Sequence, residues 1–275
     1  MKNEDRKRVS TLILLLGIPA SIGAGYLWLN AVDFSGLADR RFIAWLVGVG
    51  LTSFWFTVLG WGWRGVPSGV LIDVRKKYSL SQLQLTAWTA LILPALCVAT
   101  LSNLAAGGDF SERAMEFNMP TELWALMGIS VAGLAGSQII KAAKLTPRPT
   151  MAFEMNDTIE QANIWDIFER EEDGGTGMLD LGKVQMFFVS AILIILYGVL
   201  LGEMFLGGLG VPIAAADAEF LVFPAIDDSI VAFLAISHGG YLATKAGAQP
   251  QPLSGAAPPA ATDNPDLTRT EGSGG

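Results

Sequence analysis

DLGKVQMFFVSAILIILYGV, Asp180 to Val199, opens on an acid suited to cap a helix and then runs apolar, with one lysine and one glutamine near its start. Continued to about residue 207, it supplies the roughly 20 apolar residues that carry an α-helix across a bilayer. Lipid offers no partner to free backbone groups, so such a run must be helical. An earlier stretch, SLSQLQLTAWTALILPALCV (Ser79 to Val98), follows the same plan, pairing Leu80 with Leu181, Gln84 with Gln185 and Ala90 with Ala191. The segments that follow each also pair. In LWALMGISVAGLAG (Leu123 to Gly136) and IVAFLAISHGGYLA (Ile230 to Ala243), Ala125 matches Ala232, Ile129 matches Ile236, Ser130 matches Ser237 and Gly133 matches Gly240.

The whole chain is of this kind. Of its 275 residues 51% are hydrophobic and only 16% charged, too apolar a balance for a water-soluble domain of that length. Six segments are long enough to span: roughly 11–31, 42–63, 83–104, 122–141, 184–207 and 228–246. The first is preceded by Lys2, Arg6, Lys7 and Arg8 as a signal peptide would be, but its apolar run through GYLWLNA is that of an uncleaved anchor. Lysine and arginine accumulate on the cytoplasmic side of membrane proteins. With the N-terminus inside, fifteen of the 18 basic residues fall inside and only Arg40, Arg41 and Arg113 outside, which predicts that both termini are cytoplasmic.

The expected fold is therefore an all-α membrane protein of six transmembrane helices, in which spans 3–4 and 5–6 form a parallel internal repeat. Each unit contains two crossings, so the copies share an orientation and are related by an axis along the membrane normal. The expected parts are a cytoplasmic N-terminal segment (1–10), an N-terminal helical hairpin (11–63), a first repeat unit (79–145), a cytoplasmic insert (146–179), a second repeat unit (180–246) and a disordered cytoplasmic tail (247–275). The tail is rich in Pro, Ala and Gly and cannot bury a core.

Local chemistry supports the two starts. Ser79 and Asp180 are N-cap residues by type, and Ser79 with Gln82 fits a capping box. Candidate packing or polar-core positions are Gln84 and Gln185, one turn into each unit, and Gly128, Ser130, Gly133, Ser237, His238, Gly239 and Gly240 in the second span of each. Small residues four apart let helix backbones approach closely in lipid, and a buried amide or hydroxyl there seeks a protein partner. Pro19 and Pro94 interrupt spans one and three; such breaks either expose carbonyls to a pathway or are re-satisfied by neighbours.

Catalytic and metal chemistry is sparse. A single histidine, His238, and a single cysteine, Cys97, provide neither a multi-histidine site nor a thiolate cluster, so no catalytic residue, metal or cofactor is expected. His238 reads most simply as a histidine hydrogen-bonded at a helix interface. The net charge of −8 and scattered basic residues argue against nucleic acid.

The insert is the expected working part. DTIEQANIWDIFERE suggests a short amphipathic helix with Asp157 and Glu160 as its capping box and Ile164, Trp165, Ile167 and Phe168 as its apolar cluster. The following EEDGGTGMLD lacks the alternating acids and terminal glutamate of a calcium loop. Arg75, Lys76 and Lys77 lead into the first unit, whereas Glu169, Glu171, Glu172 and Asp173 lead into the second. If both approach one membrane face, an electrostatic latch between them is expected, with Trp165 and Phe168 folded onto protein instead of lipid.

SLSQLQLTAW, DLGKVQMFF, LWALMGIS and AFLAISHGGYLATKA resemble segments recurring in bacterial multi-pass inner-membrane proteins. The resemblance covers roughly 79–246 and implies a bacterial inner-membrane location and a paired-hairpin core, but it transfers no activity to any residue. The expected function is a non-enzymatic scaffold, sensor or assembly component. Its expected partners are the lipid bilayer, a protein bound at the insert and a second copy of the chain as a homo-oligomer. The alternatives are a channel or transporter using the pseudo-symmetric core and a membrane-embedded lipid-modifying enzyme.

Overall fold

A computed structural model describes residues 3–30, 37–106, 114–115, 119–145, 151–152, 156–170, 178–207, 223–247 and 251–252. It is a helical bundle of α1 (Asn3–Asn30), α2 (Leu37–Arg64), α3 (Leu80–Ala106), α4 (Thr121–Leu145), α5 (Leu181–Leu206) and α6 (Asp228–Gly247). Four of these, α1, α2, α3 and α5, are long and apolar enough to cross a membrane. The six helices coincide with the six apolar segments but run longer at several ends. Charged residues from Glu4 to Arg8, ahead of the first apolar segment, are themselves helical, with Glu4 and Asp5 in the first turn, where carboxylates complement the helix dipole.

Helix ends follow local chemistry in some places and tertiary contacts in others. At the start of α5, Asp180 Oδ1 accepts from the backbone N–H groups of Gly182 (2.9 Å) and Lys183 (3.2 Å). Gly207 closes the same helix in the left-handed region, at φ 78°. Asp180→Ala is expected to lower stability by about 1 kcal/mol, the usual cost of losing such a cap, measured as thermal unfolding in detergent. The capping box expected at Ser79 does not form: its N–H donates to the Leu71 carbonyl at 2.8 Å, and Gln82 Oε1 is buried without a partner among the described residues. Folding of the preceding segment over this helix start has taken the donor that Gln82 would have used.

Packing between helices exploits small residues. A methyl group on Gly62 would lie 1.9 Å from Ser10 Oγ, and one on Gly17 would lie 2.2 Å from the Trp55 ring. Seven residues forward on α1 thus meet seven residues back on α2, an antiparallel hairpin with backbones in close approach. Likewise Gly48 leaves room for Pro94 of α3. Near that proline, Trp45 Nε1 donates to the Leu91 carbonyl at 3.2 Å, so a neighbouring helix serves the region where the proline ring disturbs the backbone ladder.

α3 is the central helix, more deeply buried than α1 or α2. It lies parallel to α5. Gln84 reaches Ser190, and Gly198 lies against Leu91, so contacts advance together along both helices. α4 and α6 are parallel neighbours for the same reason: Gly133 faces His238 and Gly136 faces Leu242. The main core joins Trp45, Trp88, Ile92, Leu123, Leu126, Tyr197, Leu201, Phe205 and Leu234. A smaller one, of Leu80, Ile167, Met186 and Tyr241, closes the end of the bundle at which α3 and α5 begin. Lys7 over Trp63 and Arg40 over Trp28 place cation–aromatic pairs at the two ends, the positions that interfacial aromatics favour.

Candidate functional site

Residues 72–78 form a tight hairpin ahead of α3. Ile72 bridges to Tyr78, and Asp73 N–H donates to the Lys77 carbonyl at 2.9 Å. Lys76 at its tip has φ 60°, a left-handed conformation that costs a side-chain-bearing residue about 1–2 kcal/mol. Asp73, almost fully buried, holds the turn from inside: Oδ1 accepts from the Arg75 N–H, and Oδ2 accepts from the Arg75 guanidinium at 2.7 Å. Arg75 is thus engaged within its own turn.

The insert grips this hairpin from outside. Asn156 N–H donates to the Arg75 carbonyl at 3.0 Å, and Asn156 Nδ2 donates to the Lys76 carbonyl at 2.8 Å. Lys76 Nζ donates to the Asp157 carbonyl. These bonds fall on both sides of the strained residue, so docking of the insert helps to offset the cost of the turn. Further along, Asp166 Oδ2 accepts from Tyr78 N–H at 3.3 Å and from Asn163 N–H at 2.9 Å.

Glu169 lies between two buried lysines. Its Oε2 is 3.4 Å from Lys77 Nζ, and its carbonyl accepts from Lys183 Nζ at 2.7 Å. Both lysine side chains are almost fully covered. The insert then returns to α5 through Arg170 N–H to the Met178 carbonyl and Asp180 N–H to the Phe168 carbonyl. Of the latch residues, Lys77 and Glu169 therefore meet, Arg75 and Lys76 have other partners, and Glu171, Glu172 and Asp173 lie outside the described residues.

Local structure in the insert differs from the sequence expectation. Instead of one α-helix it makes two short 3₁₀ turns, Ile159–Gln161 and Ile164–Phe168. The capping boxes are Thr158 with Gln161 and Asn163 with Asp166, not Asp157 with Glu160. Gln161 Oε1 accepts from the Thr158 N–H at 3.3 Å, and the Asx-type contacts of Asn163 favour a turn over a continued helix. Glu160 remains exposed; hydrogen bonds from its own backbone N–H and from Thr158, then the Lys76 charge, hold its carboxyl below the ordinary range. Ile167 and Phe168 fold onto protein, whereas Trp165 stays 66% exposed.

The residues expected within the spans separate into two sets. Gln84 is buried and donates through Nε2 to Ser190 Oγ at 2.7 Å and to the Met186 carbonyl at 3.3 Å, whereas Gln185 is exposed. Gly133 lies against His238: a Cβ there would be 3.2 Å from the imidazole Cδ2. Nδ1 of His238 donates to the Leu234 carbonyl at 3.0 Å; Nε2 and the Ser237 hydroxyl are buried without partners among the described residues. A Cβ on Gly128, Gly239 or Gly240 would meet no atom of the described residues within 4 Å, and the Ser130 side chain lies outside them.

Sequence reasoning missed Asp73, Asn156, Asp166, Lys183 and Ser190. The Asn163-x-x-Asp166 spacing was a readable signal for Asp166. The others become significant only when distant segments meet. Among the described residues no group of three or more His, Cys, Asp or Glu could hold a metal ion. No family model, curated protein or solved structure matches this chain.

Proposed function

We propose that the chain is a six-span scaffold or assembly component of a bacterial inner membrane, with both termini cytoplasmic, whose clamped insert presents a surface to a protein partner. The observation that carries this reading is the filled interior: Ala95, Ala99, Leu123, Leu126, Leu201, Met204, Phe205 and Leu234 are 0% exposed. A carrier would be expected to keep polar or charged groups along a midplane pathway, whereas these fully covered positions are all apolar. The parallel contacts of α3 with α5 and of α4 with α6 support a duplicated hairpin about an axis along the membrane normal. Against a lipid-modifying enzyme, Asp73, Asp166, Glu169 and Asp180 are each engaged by protein groups, leaving no free acid–base pair among them.

A photo-cross-linking residue at exposed Gln161 should give a discrete protein adduct in cells, lost on Lys77→Glu; absence of any such adduct would sink the partner. Topology is checked separately in a Cys97→Ser background. Impermeant reagent should label Ser111→Cys and spare Ser254→Cys in intact cells; the reverse pattern would invert the orientation.

A second reading, a sensor or carrier, rests on the His238 Nε2 and Ser237 hydroxyl, buried on α6 without a partner among the described residues. Solute flux in reconstituted vesicles, abolished by His238→Ala, would favour it over the scaffold.

A further inference from the structure

The outer edge of the insert raises a question that the clamp does not answer. Ile164 is 51% exposed and Trp165 66%, although the turn carrying them is fastened to the bundle on its other side. Its height along α5 can be read from three contacts. The Phe168 carbonyl accepts from the Asp180 N–H at 2.8 Å, level with the first residue of the helix. The Phe168 ring stands edge-on to Phe187 at 5.1 Å between centroids, and seven residues beyond Asp180 correspond to about 10 Å along an α-helix. Ile167 packs with Met186 and Tyr241 at the same level. The Ile164–Phe168 turn therefore lies beside the opening turns of α5, not above them.

Trp165 occupies the outer side of that stack, 6.2 Å from Phe168. A chain of ring contacts, Trp165 to Phe168 to Phe187 to Phe188, links it to the outward face of α5, where Leu181, Phe188, Ile192, Ile195 and Leu196 are exposed together with Gln185. α5 is among the helices long and apolar enough to span a membrane, so this face is the lipid-facing one. The polar residues Asp157, Glu160 and Gln161 are exposed in the preceding turn of the insert. An element with one apolar edge, placed beside the first turns of a spanning helix, matches the geometry of an interfacial anchor. Tryptophan in particular favours the headgroup level, where its ring is buried in the acyl boundary and its N–H remains hydrated.

We propose that the Ile164–Phe168 turn is a membrane-interface anchor: Ile167 and Phe168 plug the bundle while Ile164 and Trp165 enter the headgroup–acyl boundary of the adjoining leaflet. The occupant of this surface is lipid, because the ring contacts Trp165–Phe168–Phe187–Phe188 join the turn to the lipid-facing strip of α5, where the one exposed amide between Leu181 and Phe188, Gln185, lies one turn into the helix at the headgroup level. This corrects the expectation that both aromatic residues fold away from the bilayer. It also gives the clamp a use, since hydrogen bonds to residues 75–78 hold the anchor at a set depth. The inference rests on α5 spanning the bilayer, and one arm of the test reports on that separately.

In a Cys97→Ser background, single variants Trp165→Cys, Ile195→Cys and Glu160→Cys are spin-labelled and reconstituted into vesicles of phosphatidylcholine and phosphatidylglycerol. Collisions with oxygen, which concentrates in lipid, are compared with collisions with a water-soluble nickel chelate. Positions 165 and 195 should favour oxygen, and position 160 should reverse the preference. A nickel preference at 165 places it in water and overturns the anchor. Protection from both reagents with an immobilised label means that protein covers the site, which also overturns it. If position 195 itself fails to favour oxygen, the spanning reading of α5 falls and the anchor falls with it.

Discussion

Lys77→Glu should release the insert from the bundle, seen as faster proteolysis between residues 156 and 170, and adding Glu169→Lys should restore protection. Lys77 is almost fully covered, and its ammonium lies 3.4 Å from the Glu169 carboxylate. The single reversal sets two carboxylates against each other where water cannot screen them well. Stripping a fully buried ion of its partner costs about 3–5 kcal/mol; the partial exposure of Glu169 places this pair toward or below the lower end. The double variant recreates an opposite-charge pair, although Lys183 beside the Glu169 carbonyl limits the recovery. Unchanged proteolysis in the single variant would mean that the apolar contacts of Ile167 and Phe168 hold the insert unaided. Arg75 should respond differently, because its reversal breaks the hairpin through Asp73 before it affects the insert.

Gly60→Ala should be among the most damaging single-methyl substitutions at the described glycines, because its obstacle is backbone. The added Cβ would lie 2.5 Å from the Pro67 carbonyl oxygen and 2.7 Å from the Gly69 nitrogen. Both are backbone atoms of the Pro67–Leu71 turn, so no rotamer change relieves the clash. At Gly198, by contrast, the nearest atom is a Leu91 methyl at 3.4 Å, which can be accommodated. Overpacking a tight interior typically costs about 1–3 kcal/mol, and a rigid backbone obstacle places Gly60 at the upper end. Thermal unfolding in detergent should show a clear fall in midpoint for Gly60→Ala and almost none for Gly198→Ala. Equal midpoints would show that the Pro67–Leu71 turn moves away freely. Such a shift would reach the candidate site, because Leu71 accepts the Ser79 N–H just before α3.

Much of the helix pattern was legible because it depends on local quantities. Apolar length requires backbone pairing along the chain itself, and Asp180 can cap α5 whatever lies across the bundle. The candidate site was legible only in part. Opposite charge suggested that the segments before α3 and α5 attract, and Lys77 lies 3.4 Å from Glu169, but the local arrangement depended on Asp73 and Lys183, which no motif tied to the latch. The insert was misread as an α-helix because its apolar spacing suits either helix type, while the Asx-type bonds of Asn163 stop propagation after a few residues.

Composition and apolar run length by themselves determined that this is a helical, membrane-type protein, and residue type determined several of its helix ends. Tertiary structure decided which faces meet. Gln84 and Gln185 occupy matching places in their segments, yet one is buried against Ser190 and the other is exposed; a side chain at Gly133 would meet His238, whereas one at Gly128, Gly239 or Gly240 would meet none of the described atoms within 4 Å. The physical reason lies in the solvent. Lipid tails are about as apolar as leucine, so the inner and outer faces of a spanning helix read alike in sequence. Only the shape and hydrogen bonds of neighbouring helices distinguish them.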